Sequence, residues 1–259
     1  MDAAPRLRPL ILTCAVVLVS AAIAPAYADG PPPPPWSYGG STGPAHWASE
    51  DPAYATCGVG QRQSPIDIQN PERADLPAIE FGYRPVPLIV TDTGFTMQVN
   101  VPPGSGGITV GKDHYDLVQF HFHRPSEEKI RGQRYELVVH LLHKSAEGKL
   151  AVVAVLFSRG TGNPVLKQVV ENMPPPGQKE KAVPGVMLDL AQLLPAARGY
   201  YAYEGSLSIP PCTEGVRWFV LKRVMQAKSG EILLFATRYA DNARPTQPTN
   251  GRKVQETGN

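Results

Sequence analysis

The chain has 259 residues, of which 42% are apolar, and its formal net charge is +2. This length and composition are sufficient for one large buried core. The almost balanced charge argues against a nucleic acid or a membrane surface as a partner.

Residues 1–28 have the pattern of a secretory signal peptide. Arg6 and Arg8 precede an apolar stretch that ends in a small-x-small signal at residues 26–28. The apolar stretch is short for a membrane-spanning helix. The sequence therefore predicts cleavage after Ala28 and a mature protein, without a membrane segment, that is periplasmic or secreted.

The chain after residue 28 is predicted to have three parts: a Pro-rich spacer at 29–35, one domain at 36–252 and a polar tail at 253–259 that frays. The domain consists of many short extended runs broken by Gly and Pro, a pattern typical of a mostly antiparallel sheet. Helical patterns cover only residues 164–172 and 187–194. The predicted fold class is α+β, mainly β, with a few short peripheral helices.

Two of the three cysteines lie in the predicted domain. Cys14 falls within the signal peptide, which leaves Cys57 and Cys212. Two cysteines in an exported domain most simply form one disulfide. The alternative is a pair of buried, unpaired thiols.

Three histidines form the pattern with the clearest chemical meaning. His121 and His123 lie two residues apart in an extended run, so their side chains share one face of a strand. His140 lies on the next extended run, beyond a turn signal at residues 125–128, which predicts a hairpin that brings the three together. Three imidazoles without a fourth protein ligand are typical of an open catalytic zinc site. The alternative for the first pair alone is surface exposure without a metal.

A zinc ion bound by three imidazoles keeps its positive charge and acidifies a water molecule at its fourth position. The resulting hydroxide has to be oriented by a hydroxyl group, which a carboxylate in turn holds in place. Glu127, directly after the first histidine strand, and Ser208 are the candidates for these two groups.

Six motifs occur in the order found in one enzyme family. They are residues 63–68 (QSPIDI), 119–123 (QFHFH), 125–127 (PSE), 140–143 (HLLH), 205–212 (GSLSIPPC) and 242–248 (NARPTQP). With them, residues 36–252 resemble the alpha-class carbonic anhydrases, particularly the exported bacterial ones. The resemblance implies a central twisted sheet of about ten mostly antiparallel strands, a Zn²⁺ cofactor, and the reversible hydration of carbon dioxide to bicarbonate and a proton by zinc-bound hydroxide.

The resemblance also implies roles for individual residues. His121, His123 and His140 would bind zinc. Glu127 and Ser208 would orient the hydroxide, and the backbone N–H of Ser208 would meet bicarbonate or an inhibiting anion. The wall that binds carbon dioxide would consist of apolar residues, namely Leu142, Val152, Leu207, Val216 and Trp218.

Further residues are implied to support the site. Gln119 would fix the tautomer of His121, and Asn242 would support the metal site from the C-terminal motif. Tyr38 and Tyr203 match tyrosines of the family's cleft. Carbon dioxide and bicarbonate would be the partners, and the sequence leaves a homodimer open.

The chain departs from the family's pattern at the position of its proton shuttle. The run Thr93-Gly94-Phe95 places a phenylalanine where the family usually has a histidine. Phenylalanine cannot carry a proton, and the hydroxide is regenerated only when a proton leaves. We expect slower turnover that rises with added imidazole buffer.

Three more departures lie close to the metal. Ser208 replaces the usual threonine, which frees its rotamer and predicts a looser relay. Ile209 replaces a second threonine and makes the cleft drier. Val138 stands where a carboxylate partner of the third histidine often lies, so we expect Glu136, further back on the same face, or some other acceptor to orient His140.

Three neighbouring residues have structural interpretations. Glu128 is expected to be solvated, His143 to be a buried core histidine, and Arg244 to anchor the C-terminal segment.

Two other functions stay open. A carbonic-anhydrase-like module for binding or assembly, with weak turnover, is compatible with Phe95, Ser208 and Ile209. A zinc hydrolase of activated esters would use the same hydroxide. The sequence has neither the His-Glu-x-x-His motif of metalloproteases nor the Gly-x-Ser-x-Gly motif of serine hydrolases, which disfavours both of those classes.

Overall fold

The computed structural model describes Met1 and residues 36–258. The strands are β1 (Asp67–Ile68), β2 (Glu72–Arg73), β3 (Ile79–Phe81), β4 (Val86–Asp92), β5 (Met97–Asn100), β6 (Gly107–Val110), β7 (Asp113–His123), β8 (Lys129–Ile130), β9 (Gln133–Arg134), β10 (Leu137–Lys144), β11 (Leu150–Arg159), β12 (Glu180–Leu188), β13 (Tyr200–Ser206), β14 (Glu214–Leu221), β15 (Met225–Ala227) and β16 (Gln255–Glu256). The helices are α1 (Trp47–Glu50), α2 (Thr56–Val59), α3 (Pro164–Glu171) and α4 (Ser229–Ala236), and 3₁₀ turns lie at Gly40–Thr42, Pro52–Tyr54 and Leu190–Leu193. The predicted signal peptide and spacer lie, apart from Met1, outside the described residues.

Most of the strands form one large sheet. Ten of them follow the order β12-β4-β5-β7-β10-β11-β14-β13-β16-β2, while β3, β6 and β15 pair at its sides. Along this order only β11–β14 and β16–β2 are parallel pairs. The strands β1, β8 and β9 form a separate small sheet. The prediction of a mainly β fold with about ten mostly antiparallel strands is confirmed.

One face of β7 and β10 packs in the apolar core, and the other face carries the predicted metal ligands. Phe120 and Phe122 of β7, with Val139 and Leu141 of β10, belong to the main apolar core, which they share with α3 and α4. Because side chains alternate along a strand, the residues between them project to the opposite face. That face carries the three predicted metal ligands, which therefore lie on two neighbouring strands in the middle of the sheet.

The helix predicted at residues 164–172 is confirmed as α3. The side chain of Asn163 caps it and accepts hydrogen bonds from the N–H groups of Val165 (3.1 Å) and Leu166 (3.0 Å). Pro164 occupies the first helical position, where its missing N–H costs nothing. The carboxylate of Glu231 in α4 accepts from the backbone N–H of Asn163 at 3.2 Å, which ties the two helices together.

The second predicted helix, at residues 187–194, is wrong for its first half. Residues 187–188 end β12, and only Leu190–Leu193 form a single 3₁₀ turn. Asp189 causes this change, because its carboxylate accepts from the N–H of Ala191 at 3.1 Å and caps the turn. Helix α4 was not predicted from the sequence. Among the described residues, no helix has the length and hydropathy that a membrane span requires.

The two cysteines of the domain form a disulfide. Cys57 of α2 and Cys212 of the loop before β14 are bonded, with their Cα atoms 5.0 Å apart. The prediction of a disulfide is confirmed, and the alternative of two free thiols is wrong. The bond fastens the N-terminal helices to the loop that carries Ser208.

The C-terminal tail was expected to fray, and this expectation is wrong for residues 255–257. Strand β16 pairs with β13 on one side and with β2 on the other. The backbone N–H of Thr257 donates to the carbonyl of Tyr200 at 3.0 Å, and Lys222 forms an ion pair with Glu256 at 2.7 Å. The tail is ordered because these contacts satisfy its backbone and side-chain groups.

Candidate metal centre

The register between β7 and β10 brings the three predicted histidines together. His140 lies directly opposite His121, and His123 lies opposite Val138, two positions before His140. One ring nitrogen of each histidine lies within 4.8 Å of those of the other two. The predicted convergence of the three imidazoles is confirmed.

Hydrogen bonds fix the rings of the first two histidines. Nδ1 of His121 donates to Oε1 of Gln119 at 2.8 Å, as predicted. Nδ1 of His123 donates to the backbone carbonyl of Asn242 at 2.7 Å. Nε2 of His123 is buried and has no hydrogen-bond partner among the residues that the structure describes. Both rings are therefore held with Nε2 available to a metal ion.

The third histidine is hydrogen-bonded to Glu128 and not to Glu136. Nε2 of His140 donates to Oε1 of Glu128 at 2.9 Å, and only 1% and 0% of the two side chains are exposed. This bond leaves Nδ1 of His140 available to a metal. Glu136 instead pairs with Nε of Arg159 at 2.8 Å, with 31% of its side chain exposed. Of the two expected alternatives, Glu136 is wrong, because β10 begins one residue after it and the alternation of faces ends there, and the other acceptor is Glu128.

Glu128 was expected to be solvated, and this expectation is also wrong. The hydroxyl of Ser126 donates to the carbonyl of Glu128 at 2.8 Å and accepts from the N–H of Tyr135 at 2.9 Å. Directly after Glu128, β8 pairs with β1. This turn carries Glu128 inward together with Glu127, so both carboxylates are buried.

The electrostatics of the cluster suit a metal cation. Burial, with the neighbouring His140, lowers the pKa of His121 to about 3, and burial likewise lowers the pKa of His123. Burial also acts to lower the pKa of His140, but the charge and hydrogen bond of Glu128 outweigh it, so this pKa is raised. A zinc ion fits this cluster. The rings of His121 and His123 are neutral, the ring of His140 is hydrogen-bonded to the carboxylate of Glu128, and the buried Nε2 of His123 has no partner among the described residues.

Glu127 lies directly beside the cluster. Its Oε1 accepts from the backbone N–H of Arg244 at 2.8 Å and lies 3.6 Å from Nδ1 of His123. Its Oε2 lies 3.8 Å from Nδ1 of His140. Burial raises the pKa of Glu127 to about 7, although His140 and the hydroxyl of Ser208 act to lower it. Oε2 makes no hydrogen bond of good geometry among the described residues, so it is free to accept one from Ser208.

Arg244 anchors the C-terminal segment behind Glu127, as expected. Its guanidinium donates to the side chain of Gln63 (2.9 Å) and to the carbonyls of Ser64 (2.7 Å) and Cys57 (3.0 Å). Only 1% of Arg244 is exposed. The N–H that holds Glu127 is therefore fixed by a buried network.

Comparisons with known proteins match this chain to carbonic anhydrases. The family of eukaryotic-type carbonic anhydrases matches residues 42–258. The chain is 36% identical over 226 residues to a carbonic anhydrase of Nostoc sp., with 85% of each chain covered. It is 37% identical over 223 residues to that of Klebsiella pneumoniae, with 85% of this chain and 90% of the relative covered.

A solved structure of a carbonic anhydrase also matches this chain. The alpha-carbonic anhydrase of Thermovibrio ammonificans, in complex with the inhibitor sulfanilamide, has a TM-score of 0.82 and 38% sequence identity, with 86% of this chain and 99% of that chain covered. The chain belongs to the alpha carbonic anhydrase family. This family hydrates carbon dioxide with zinc, and the chain is accordingly a zinc lyase, a carbonate dehydratase.

The residues that the resemblance matches to the wall for carbon dioxide lie next to one another in the structure. Leu142, Val152 and Trp218 are successive cross-strand partners on β10, β11 and β14. The ring of Trp218 lies 4.9 Å from that of His140, nearly perpendicular to it. All five matched residues belong to one apolar cluster, namely Leu142, Val152, Leu207, Val216 and Trp218.

The matched tyrosines also lie beside the site. The ring of Tyr203 is stacked on Trp218 at 5.9 Å, and that of Tyr38 meets His123 edge-on at 6.4 Å. Burial raises the pKa of both hydroxyl groups well above 10.0, so both tyrosines are neutral.

Phe95, which the resemblance matches to the family's proton shuttle, is part of an aromatic cluster. Phe95 stacks on Trp36 with the ring centroids 3.8 Å apart and the planes at 9°, and Trp36 meets Trp47 at 5.1 Å. The side chain of Asn242 donates to the carbonyl of Phe95 at 2.9 Å, and Ile209 packs against the cluster. None of the side chains in this cluster can exchange a proton near neutral pH.

Proposed function

We propose that the chain catalyses the reversible hydration of carbon dioxide to bicarbonate and a proton with zinc held by His121, His123 and His140. The observation that carries this proposal is the convergence of one free nitrogen from each ring, within 4.8 Å of one another, beside a buried carboxylate. Zinc in such a site makes a water molecule acidic enough, with a pKa near 7 in carbonic anhydrase, to act as hydroxide at neutral pH.

The protein groups around the metal would hold and orient the reactants. Gln119, Asn242 and Glu128 keep the three rings in the ligating tautomer. Glu127 would accept a hydrogen bond from the Ser208 hydroxyl. That hydroxyl can then accept only from the nucleophile, so a lone pair of the nucleophile is directed towards the substrate.

The apolar row of Leu142, Val152 and Trp218 would bind carbon dioxide beside this nucleophile. Carbon dioxide is uncharged and poorly solvated, so a wall without hydrogen-bonding groups favours its entry. Bicarbonate is charged and is better solvated by water, which favours its departure. Leu207 and Val216 extend the same apolar surface.

Stopped-flow measurement of carbon dioxide hydration tests the proposal. The zinc-loaded protein should hydrate carbon dioxide, lose this activity after removal of the metal by a chelator, and regain it with added zinc. A protein that binds zinc stoichiometrically but does not accelerate hydration would contradict the proposal and favour the binding or assembly module.

We propose that no side chain carries the departing proton at the family's usual shuttle position. Phe95, which has no group that can bind a proton, occupies this position and is packed on Trp36. At saturating carbon dioxide and low buffer, proton export should then limit turnover. We expect turnover to rise with imidazole concentration, and Phe95→His to raise it about tenfold or more at low buffer.

Phe95→Leu is the control for this prediction, since it also removes the stacked ring but adds no proton carrier. It should not increase turnover at low buffer. Turnover independent of imidazole in the wild-type protein would show that another route exports the proton.

The role of the Ser208 hydroxyl is tested by Ser208→Ala. Loss of the hydroxyl should lower kcat/KM for hydration by about 10²-fold, because the nucleophile is no longer oriented. Ser208→Thr keeps the hydroxyl and restricts its rotamer, so it should retain or increase kcat/KM. Hydration by Ser208→Ala at the wild-type rate would remove Ser208 from the mechanism.

We also propose that residues 1–28 direct export and that the enzyme works in the periplasm or outside the cell. The disulfide between Cys57 and Cys212 supports this proposal, because disulfides persist mainly in oxidising compartments. The N-terminal sequence of the mature protein, which should begin after Ala28, checks it.

A further inference from the structure

We propose that Glu128 is the positioning residue for the third zinc ligand, in the place of a carboxylate on the strand of His140 itself. This inference rests on the proposed function, because it assigns a role within the same zinc site. It gives a specific purpose to a second carboxylate, next to Glu127, that the hydration mechanism does not otherwise use.

The contact between the two side chains has the geometry of a strong hydrogen bond. Oε1 of Glu128 lies 2.9 Å from Nε2 of His140, and neither side chain is appreciably exposed to water. A hydrogen bond with an ionised partner is stronger than a neutral one, and water does not compete with it when both groups are buried. Trp218 packs edge-on against the same imidazole. The ring is therefore held by one hydrogen bond, to Glu128, and by one aromatic contact, with Trp218.

The strand of His140 has no acceptor of its own for this ring. The residue two positions before His140, on the same face, is Val138, which is fully buried in the apolar cluster around Trp218. Glu136, which directly precedes the strand, is partly exposed and is paired with Arg159. The acceptor has to come from elsewhere, and Glu128 supplies it from the turn between β7 and β8.

The turn holds Glu128 rigidly enough for this task. Ser126 bonds to its carbonyl, and the following strand β8 pairs with β1. The same turn carries Glu127, whose Oε2 lies 3.8 Å from Nδ1 of the same imidazole. Adjacent residues thus lie beside the two nitrogens of one ring. Glu128 bonds to Nε2, which does not face the metal site, and Glu127 lies beside Nδ1, the nitrogen available to the metal.

The zinc affinity of variants tests the proposal directly. The dissociation constant for zinc should be measured by competition with a chromogenic chelator for the wild type, Glu128→Gln and Glu128→Ala. We expect zinc binding to weaken by about 10-fold in Glu128→Gln, which loses the charge, and by about 100-fold in Glu128→Ala, which leaves Nε2 without a partner. The visible spectrum of the cobalt-substituted protein should change as well, because the third ligand is no longer fixed.

Glu136→Gln is the matched control, since it makes the same chemical change at the carboxylate paired with Arg159. It should bind zinc like the wild type. Glu128→Gln is nearly isosteric and can be interpreted even if Glu128→Ala does not fold. In addition, Val138→Glu in the Glu128→Gln background would return a carboxylate to the strand of His140, and we expect it to recover part of the affinity.

The outcomes separate this proposal from the proposed function. Wild-type zinc affinity in both Glu128 variants, in a protein that hydrates carbon dioxide, would overturn the role of Glu128 alone. Weakened zinc binding in these variants, in a protein whose wild type binds zinc but does not hydrate carbon dioxide, would support Glu128 and contradict the proposed function.

Discussion

Replacement of His123 by alanine should abolish zinc binding and carbon dioxide hydration together. His123 is the most central of the three ligands, with its ring 4.9 Å from that of His121 and 4.8 Å from that of His140. Its Nε2 is buried and has no other partner among the described residues, which is the condition of a ligand held ready for a metal. Without it, two imidazoles remain, and two ligands do not retain zinc in a catalytic site that needs three.

The zinc content of purified His123→Ala, measured by atomic spectroscopy, should fall from one per chain to none. Its rate of hydration by stopped-flow should equal that of the uncatalysed reaction. His114→Ala is the control, because His114 is exposed, lies at the beginning of β7, where it is bonded to Thr109, and is not one of the three clustered histidines. If His123→Ala retained zinc and activity, the three-histidine centre would not be the catalytic site.

Removal of the disulfide should cause the largest loss of stability. The bond joins residues 155 positions apart in sequence. On the chain-entropy model, a cross-link that closes so long a loop stabilises by up to about 5 kcal/mol, and removal of native disulfides commonly costs about 2–5 kcal/mol. We expect the double variant Cys57→Ser, Cys212→Ser to unfold at a melting temperature lower by roughly 5–20 °C.

The folded structure makes this a clean test of the cross-link. The hydrogen bonds at both cysteines use backbone groups, which serine leaves unchanged. The carbonyls of Cys57 and Cys212 accept from Arg244 and Gln63, and the N–H of Cys212 donates to the carbonyl of Ile209. Calorimetry should give the same melting temperature for the double variant and for the wild type treated with a reductant. An unchanged melting temperature in both would mean that the disulfide does not stabilise the domain.

The double variant should also show a looser active site. Cys212 closes the loop that begins after Ser208, and its N–H donates to the carbonyl of Ile209 at 2.8 Å. Loss of the disulfide leaves this loop with fewer constraints. The decrease in kcat/KM should therefore exceed what the fraction of unfolded protein explains at the assay temperature.

The zinc ligands could be predicted from the sequence because the signal is local. The alternation of side chains along β7 places His121 and His123 on one face whatever the rest of the chain does. The resemblance matched Gln119 to His121, and the same periodicity places the two side chains on one face, where they are hydrogen-bonded. Asn163 and Pro164 likewise marked the start of α3, since a helix cap depends on neighbouring residues only.

The acceptors of the other two rings depend on distant parts of the chain. The carbonyl that orients His123 belongs to Asn242, 119 residues away. Periodicity suggested Glu136 for His140, but this argument fails where β10 ends, and the turn that directs Glu128 inward is stabilised by a contact with Tyr135. The only sequence signal for Glu128 was its position beside Glu127.

Local periodicity and motif order, then, indicated from the sequence alone which side chains form the metal centre and that the chain folds as a mainly β protein, and the number of cysteines in the domain indicated the disulfide. The tertiary structure decided which carboxylate stands behind His140, that Phe95 stacks on Trp36, and that the tail joins the sheet as β16. The physical reason is that each of these contacts joins residues whose backbones are positioned by different elements. Their distances depend on the packing and register of the whole sheet, and no short stretch of sequence contains that information.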